Sequence, residues 1–190
     1  MRKSLLSAVG LLLAASLPIA TAQAASLLEP PDISSNIAAP TLFNLDAGSN
    51  LLTANSGGPG SGATNGTDAE FITVVVPTGL VLDAVDVVSR SGPSFGSFLG
   101  YNVGATLSGQ TSGDLAGFVI FNAFSGDLLT AALLGVDALA AGTYAFWIQE
   151  TAGAVDYTLD FVVTPEPSTA ALLTLGGLGL GWLRRSTRRT

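Results

Sequence analysis

Apolar side chains recur at every second position through much of the chain after residue 70. The stretch 155–163 shows the pattern most clearly: its odd-numbered positions hold Val, Tyr, Leu, Phe and Val, and Asp, Thr and Asp stand at three of the positions between them. Residues 99–107 alternate in the same way. Successive side chains of a β-strand point to opposite faces, so this period predicts strands with one face in a core and one in water.

Other segments add strands of a different character. Phe71–Val76 and Leu115–Phe121 are almost wholly apolar, which predicts central strands. Thr143–Gln149 would place three apolar side chains on one face and Trp147 on the other. Seven or eight short strands joined by Gly- and Pro-containing turns predict an all-β fold, an antiparallel, jelly-roll-like β-sandwich. We also expect a helical turn within the Ala- and Leu-rich stretch Leu128–Leu139.

The part of the chain before this domain is expected to be less regular. Three prolines and the Gly- and Ser-rich tract Gly48–Asp68 predict that residues 25–67 form a flexible segment and a long loop. Short apolar patches at Ile37 and at Leu42, Phe43 and Leu45 could add an edge strand. The β-sandwich would then occupy residues 68–163. Because the chain has no cysteine, burial of apolar surface and not a disulfide framework must stabilise this domain.

The N-terminus has the three parts of a secretory signal peptide. Arg2 and Lys3 precede the apolar stretch Leu5–Ile19, and the small-residue site Ala22-Gln23-Ala24 follows. This order predicts that the secretion translocon exports the chain and that residues 1–24 are removed.

The C-terminal segment, residues 164–190, combines three other parts. Pro165-Glu166-Pro167 comes first, and its prolines favour an extended backbone that a protease can grip. The next 16 residues, Ser168–Leu183, carry no charge. As a helix they would span about 24 Å, somewhat less than a hydrocarbon core of about 30 Å. Arg184 and Arg185 open a cluster of four arginines, which predicts a transmembrane helix with a cytoplasmic basic stop.

This order of Pro-Glu-Pro motif, apolar helix and arginine cluster resembles the PEP-CTERM sorting signal of Gram-negative bacteria. Proteins with that signal are handled at the inner membrane by an exosortase, an integral-membrane cysteine protease. The resemblance implies that Pro165, Glu166 and Pro167 are the sorting motif, that Arg184 and Arg185 are the membrane stop, and that the tail is removed as the protein moves outward. It also implies a cell-surface or extracellular product, associated with exopolysaccharide or biofilm.

Between the two signals the chain is strongly acidic. Arg90 is its only Lys or Arg, and 13 of the 14 acidic residues lie within residues 25–164, so this segment has a formal charge of −12. Such a surface repels nucleic acid and anionic membranes and favours solubility, cations or a hydrated matrix. We therefore expect no nucleic-acid partner, whereas exopolysaccharide or another matrix component is compatible with the charge.

The same segment lacks the residues on which most catalytic sites depend. It contains no His, Cys or Lys, which removes thiol nucleophiles, Ser-His and Ser-Lys arrangements and His-based metal sites. Carboxylate pairs of the glycosidase type remain, with Asp83 and Asp86 or Asp156 and Asp160 as candidates. Carboxylates on the wet face of a strand are usually solvated charges, so we expect no catalytic residue and no enzymatic activity.

Calcium is the cofactor that the sequence leaves open. Asn65, Asp68 and Glu70 cluster in a turn before the strand at 71–76, and calcium takes several oxygen ligands. Turn formation and capping explain the same residues without a metal. The expectation is no cofactor, with a structural calcium ion at these three residues as the alternative.

Residues 68–163 also resemble the bacterial pre-peptidase C-terminal domain, a β-sandwich. The segments that carry this resemblance are Thr67–Phe71, Pro77-Thr78-Gly79, Leu139–Tyr144 and Tyr157-Thr158-Leu159. Domains of that family accompany secreted proteases and other exported proteins, and some members bind calcium.

The sequence leaves two other functions open. One is a surface module that binds a glycan or a protein through the loops at 91–97 and 109–114. The other is a single-pass membrane protein that keeps its C-terminal helix, with Pro-Glu-Pro as an incidental sequence.

Overall fold

The computed structural model describes residues 25–28, 33–56, 69–92, 97–122, 125–132, 137–150 and 154–166. These residues are mostly β-strands, which confirms the predicted all-β fold. The strands are β1 (Ser26–Leu28), β2 (Thr41–Asn44), β3 (Leu51–Ser56), β4 (Ala69–Val76), β5 (Leu80–Ser91), β6 (Ser97–Val103), β7 (Gly117–Phe121), β8 (Gly142–Gln149) and β9 (Val155–Pro165). A 3₁₀ turn at Ser112–Asp114 and the short helix α1 (Leu128–Ala132) join them. The helix lies within the stretch predicted to hold a helical turn.

The strands form two mixed sheets. The four-stranded sheet has the order β1-β3-β9-β5, and the five-stranded sheet has the order β2-β4-β8-β6-β7. The prediction of wholly antiparallel sheets was wrong in two places, because β1 pairs with β3 and β2 pairs with β4 in parallel. Each of these pairs is connected through a strand of the other sheet, and such a crossover lets the chain return in the same direction.

The two sheets pack face to face through alternate side chains. All five odd-numbered residues of Val155–Val163 are buried, as the alternation predicted. At the centre, the Phe161 ring of β9 contacts the Phe43 ring of β2 and the Phe146 ring of β8, with both pairs of ring centroids 5.6 Å apart. The rings meet edge to face, at 86° and 80°, which is a favourable aromatic geometry. The core therefore joins both sheets.

The outer face of the five-stranded sheet is also covered. Phe71, Leu107, Ala145 and Trp147 form a second buried cluster there. As a result β4 is buried at six of its eight positions, and its place between β2 and β8 confirms the prediction of a central strand at 71–76. Trp147 lies on the face opposite Phe146, as the pattern in Thr143–Gln149 predicted.

Two other strand predictions need correction. The apolar run at 115–121 forms β7, an edge strand, in which Phe118 and Ile120 are 46% and 60% exposed. A short apolar run does not by itself say which of its faces is covered. The alternation at 99–107 also ends early as a strand, at Val103, because Gly104 adopts a φ of 116° that breaks the extended backbone.

The chain before residue 68 contributes three strands, where the composition indicated a flexible segment. Leu52 and Ala54 of β3 are buried in the main core, and β3 lies between β1 and β9. Just before β3, the buried Asn50 amide donates to the carbonyls of Asp46, Gly48 and Phe161 at 2.9–3.0 Å. These bonds join the segment before β3 to β9, beside the backbone pairing of Gly48 with Val163. As predicted, β2 is an edge strand.

None of the helices within the described ranges is long and apolar enough to span a bilayer. The predicted signal peptide at 1–24 and the predicted transmembrane helix at 168–183 lie outside these ranges.

Replacing Phe161 with Ala should destabilise the domain by about 3–5 kcal/mol, because it leaves a cavity where the two sheets meet. The matched control is Val162→Ala, at the half-buried next position of the same strand, which should cost about 1 kcal/mol or less. Urea unfolding followed by tryptophan fluorescence measures both changes. Equal losses for the two variants would contradict the described core.

Candidate functional site

The predicted sorting motif starts inside the folded domain. Pro165 is the last residue of β9 and is the register partner of Leu80 on β5. The next residue, Glu166, donates its backbone N–H to the carbonyl of Gly79 at 2.9 Å. The side chains of Pro165 and Glu166 are both exposed. Pro167, Arg184 and Arg185 lie outside the described residues.

The turn between β4 and β5 provides the acceptor for Glu166. Gly79 has a φ of 80°, which glycine adopts without strain, and the Leu80 N–H closes the turn on the Pro77 carbonyl at 3.2 Å. Pro165 has no N–H to donate, which is tolerated because it is the final residue of its strand. The first two residues of the motif, Pro165 and Glu166, thus extend β9 alongside the β4–β5 turn.

Support for β9 changes at Val163. The N–H and C=O of Val163 both bond to Gly48, at 2.9 and 2.7 Å, while β5 pairs on the other side through Leu82. From Thr164 to Glu166, the backbone pairing in the described ranges is with β5 and its turn. The chain is therefore held from two sides up to Val163 and from one side between Thr164 and Glu166.

The candidate carboxylates are arranged differently from the predicted pairs. Asp86 of β5 lies directly opposite Asp160 of β9, and each comes from a different predicted pair. Asp127, in the segment before α1, forms an isolated antiparallel β-bridge with Asp86 through the backbone. Partial burial, followed by the negative charges of Asp127 and Asp160, raises the pKa of Asp86. Asp160 accepts hydrogen bonds from Ser49 Oγ at 2.8 Å and from the Asn50 N–H at 2.9 Å.

The other carboxylates of this face are engaged in structural hydrogen bonds. Asp127 accepts from the N–H groups of Val85, Leu129 and Thr130 at 2.8–3.1 Å. Burial raises the pKa of Asp127, but these hydrogen bonds together outweigh it and the net pKa is lowered. Asp156 accepts from the Asn55 amide and from Ser91 Oγ. The Asp156 bonds join β9 to β3 and β5, and the Asp127 bonds to Leu129 and Thr130 cap the start of α1.

The single cation between the two signals is buried, which the sequence did not reveal. The Arg90 side chain is 3% exposed, and its Nη2 lies 3.4 Å from Oε2 of Glu150, which is 1% exposed. Arg90 Nε donates to Ser97 Oγ at 2.7 Å. Burial raises the pKa of Glu150, and the charge and hydrogen bond of Arg90 offset this only in part. The pair links β5 to the ends of β6 and β8, and it leaves the exposed charges of residues 25–164 all negative.

The predicted calcium ligands are only partly described. Glu70 is fully buried at the start of β4, whereas Asn65 and Asp68 lie outside the described residues. Among the residues with described positions, no three or more His, Cys, Asp or Glu side chains are grouped to hold a metal ion. Calcium binding at Asn65, Asp68 and Glu70 stays a prediction.

Comparison with protein families identifies the C-terminal signal. The PEP-CTERM protein-sorting motif matches residues 163–185. This confirms the predicted sorting signal, and the match covers Pro165, Glu166, Pro167, Arg184 and Arg185. No curated protein and no solved structure matches the chain. The resemblance of residues 68–163 to the pre-peptidase C-terminal domain stays a prediction.

The fold and the motif together define an exported protein with a two-sheet β domain. The chain carries a PEP-CTERM sorting signal that begins within β9 and directs it to exosortase-dependent sorting.

Replacing Asp86 with Asn should stabilise the domain at pH 7 by roughly 0.5 kcal/mol, because it removes a negative charge that faces Asp160 and Asp127. The pKa of Asp86 is raised in the folded state, so its ionised form costs stability as the pH rises through that pKa. The gain should therefore vanish at about pH 3, below the raised pKa of Asp86, where the wild-type Asp86 side chain is itself uncharged.

The matched control for this change is Asp83→Asn, at an exposed residue of the β5 bulge that has no register partner on β9. It removes the same charge from the domain and should leave the melting temperature nearly unchanged. Thermal unfolding at both pH values compares the variants. An equal gain for both would assign the effect to net charge and not to the facing carboxylates.

Proposed function

We propose that this chain is a structural component of the bacterial cell surface or extracellular matrix, sorted and C-terminally processed by an exosortase. The observation that carries the proposal is the PEP-CTERM match at residues 163–185, which begins at Val163, the last residue of β9 that is paired on both sides. The tail would hold the folded domain at the inner membrane during export. Cleavage near Pro165–Pro167 would then release the domain outward.

The charge distribution supports a role in a hydrated matrix. The segment 25–164 has a formal charge of −12, and its single cation, Arg90, is buried against Glu150. A surface with only negative charges stays soluble and resists nonspecific association with nucleic acid or anionic lipid. We infer exopolysaccharide or another biofilm component as the surroundings of the mature domain.

A noncatalytic role is part of the proposal. The segment 25–164 has no His, Cys or Lys, and two of its four candidate carboxylates, Asp156 and Asp160, accept hydrogen bonds from neighbouring segments of the same sheet. We also infer that the two facing sheets form a jelly-roll-like sandwich, since the chain passes from one sheet to the other at each of its first five strands.

Replacing Pro165 and Pro167 together with Ala should stop sorting, so that full-length precursor accumulates in the membrane fraction of the native host. Immunoblots of membrane and extracellular fractions, with and without the host exosortase, measure this. Pro30 and Pro31 replaced by Ala provide a matched double-proline control, which should be released like the wild type. Normal release of the Pro165/Pro167 variant would mean that the motif is incidental.

A glycan-binding module is the second candidate, and an exposed aromatic surface favours it. The rings of Phe98 in β6 and Phe118 in β7 are stacked, with centroids 5.8 Å apart and an interplanar angle of 25°. The centroids of the Phe98 and Trp147 rings are 4.7 Å apart. Phe118 and the neighbouring Ile120 are largely exposed. Ligand sites are lined mainly by such apolar and aromatic side chains.

If this surface binds glycans, the purified domain should be retained selectively on a glycan array, and Phe118→Ala should lower retention at least about fivefold. Leu42→Ala is the control, because Leu42 is 57% exposed on β2, at the opposite edge of the same sheet. Absence of selective retention by the wild type would remove this candidate.

A further inference from the structure

We propose that the folded domain controls how readily the exosortase reaches the sorting motif of this chain. The controlling element is the segment Thr164–Glu166, which is docked on the β5 side and must detach before cleavage. This inference rests on the proposed processing by exosortase. It adds that the rate of processing is set partly by local opening of the domain and not by the motif sequence alone.

The docked segment uses main-chain groups that a protease needs. Thr164 is the register partner of Val81, Pro165 is the register partner of Leu80, and the Glu166 N–H donates to the Gly79 carbonyl at 2.9 Å. An extended peptide is bound largely through its main-chain hydrogen-bonding groups. While the segment is docked, β5 and its turn occupy one of the two edges of the extended chain, so a cleft that encloses the peptide from both sides cannot close around it.

The sequence leaves little chain between the domain and the membrane. Pro167 alone separates Glu166 from the apolar run that starts at Ser168. One residue spans at most about 3.6 Å. An integral-membrane protease that engages several residues around the motif therefore has to include the docked segment.

Opening of this segment can stay local. Pro165 and Glu166 have exposed side chains, so their release uncovers little apolar surface. Further opening is opposed at Val163, which is 1% exposed and bonds to Gly48 through both of its backbone groups. A strand end with few buried side chains opens at much lower free energy than the whole domain. Proteolysis that requires such opening follows the population of the open form.

A reversible cross-link tests the proposal in the full chain. Val81→Cys combined with Thr164→Cys places two thiols on directly paired strands, where the Cα separation suits a disulfide. The chain has no other cysteine, so the pairing is unambiguous, and the compartment outside the inner membrane is oxidising. The matched control is Thr53→Cys with Thr158→Cys, which cross-links β3 to β9 at another register pair and leaves the docked segment free.

Pulse–chase labelling in the native host follows conversion of precursor to processed protein. The oxidised 81/164 variant should be processed at least about tenfold more slowly than the wild type, and mild reduction should restore the wild-type rate. The oxidised 53/158 variant should be processed like the wild type.

Processing of the oxidised 81/164 variant at the wild-type rate would overturn the proposal. Failure of these cysteines to form a disulfide would do so as well, because the proposal requires the described register. Either result is distinguishable from failure of the proposed function, in which the wild-type chain itself would keep its C-terminus.

Discussion

The placement of β9 is the constraint on which the rest of the structure depends. This strand is the last one in the part of the chain that the structure describes, yet it lies inside the four-stranded sheet between β3 and β5, with the odd-numbered side chains of residues 155–163 buried. Its Phe161 ring contacts rings from two strands of the other sheet. The domain is therefore complete only when residues 155–163 are in place, and the sorting signal begins at the end of this same strand. The same strand, β9, therefore completes the fold and carries the start of the sorting signal.

The single buried ion pair has a related role in an otherwise acidic domain. Removing two charges from water is costly, and the raised pKa of Glu150 shows that Arg90 repays this cost only in part. Through Ser97 and Glu150, the Arg90 side chain connects β5 of one sheet to the start of β6 and the end of β8 in the other. Burial of Arg90 also removes the only positive charge from the surface of residues 25–164.

Regular patterns made much of the fold and the sorting signal predictable. Alternation in residues 155–163 and the two-faced pattern of Thr143–Gln149 identified β9 and β8, and the order of motif, apolar run and arginines identified the signal. What could not be predicted depends on distant partners. The buried Asn50 amide bonds to the Phe161 carbonyl of β9, Asp86 meets Asp160 across two strands, and Glu166 meets Gly79, which is 87 positions earlier in the sequence.

The most direct test of exosortase-dependent sorting is the mass of the C-terminal peptide of the mature protein, recovered from the native host in membrane and extracellular fractions. Exosortase-dependent sorting predicts that the extracellular form ends within or close to Pro165–Pro167 and lacks the apolar run and the arginines. A mature protein that still ends at Thr190 in the membrane fraction, with no shorter extracellular form, would contradict it.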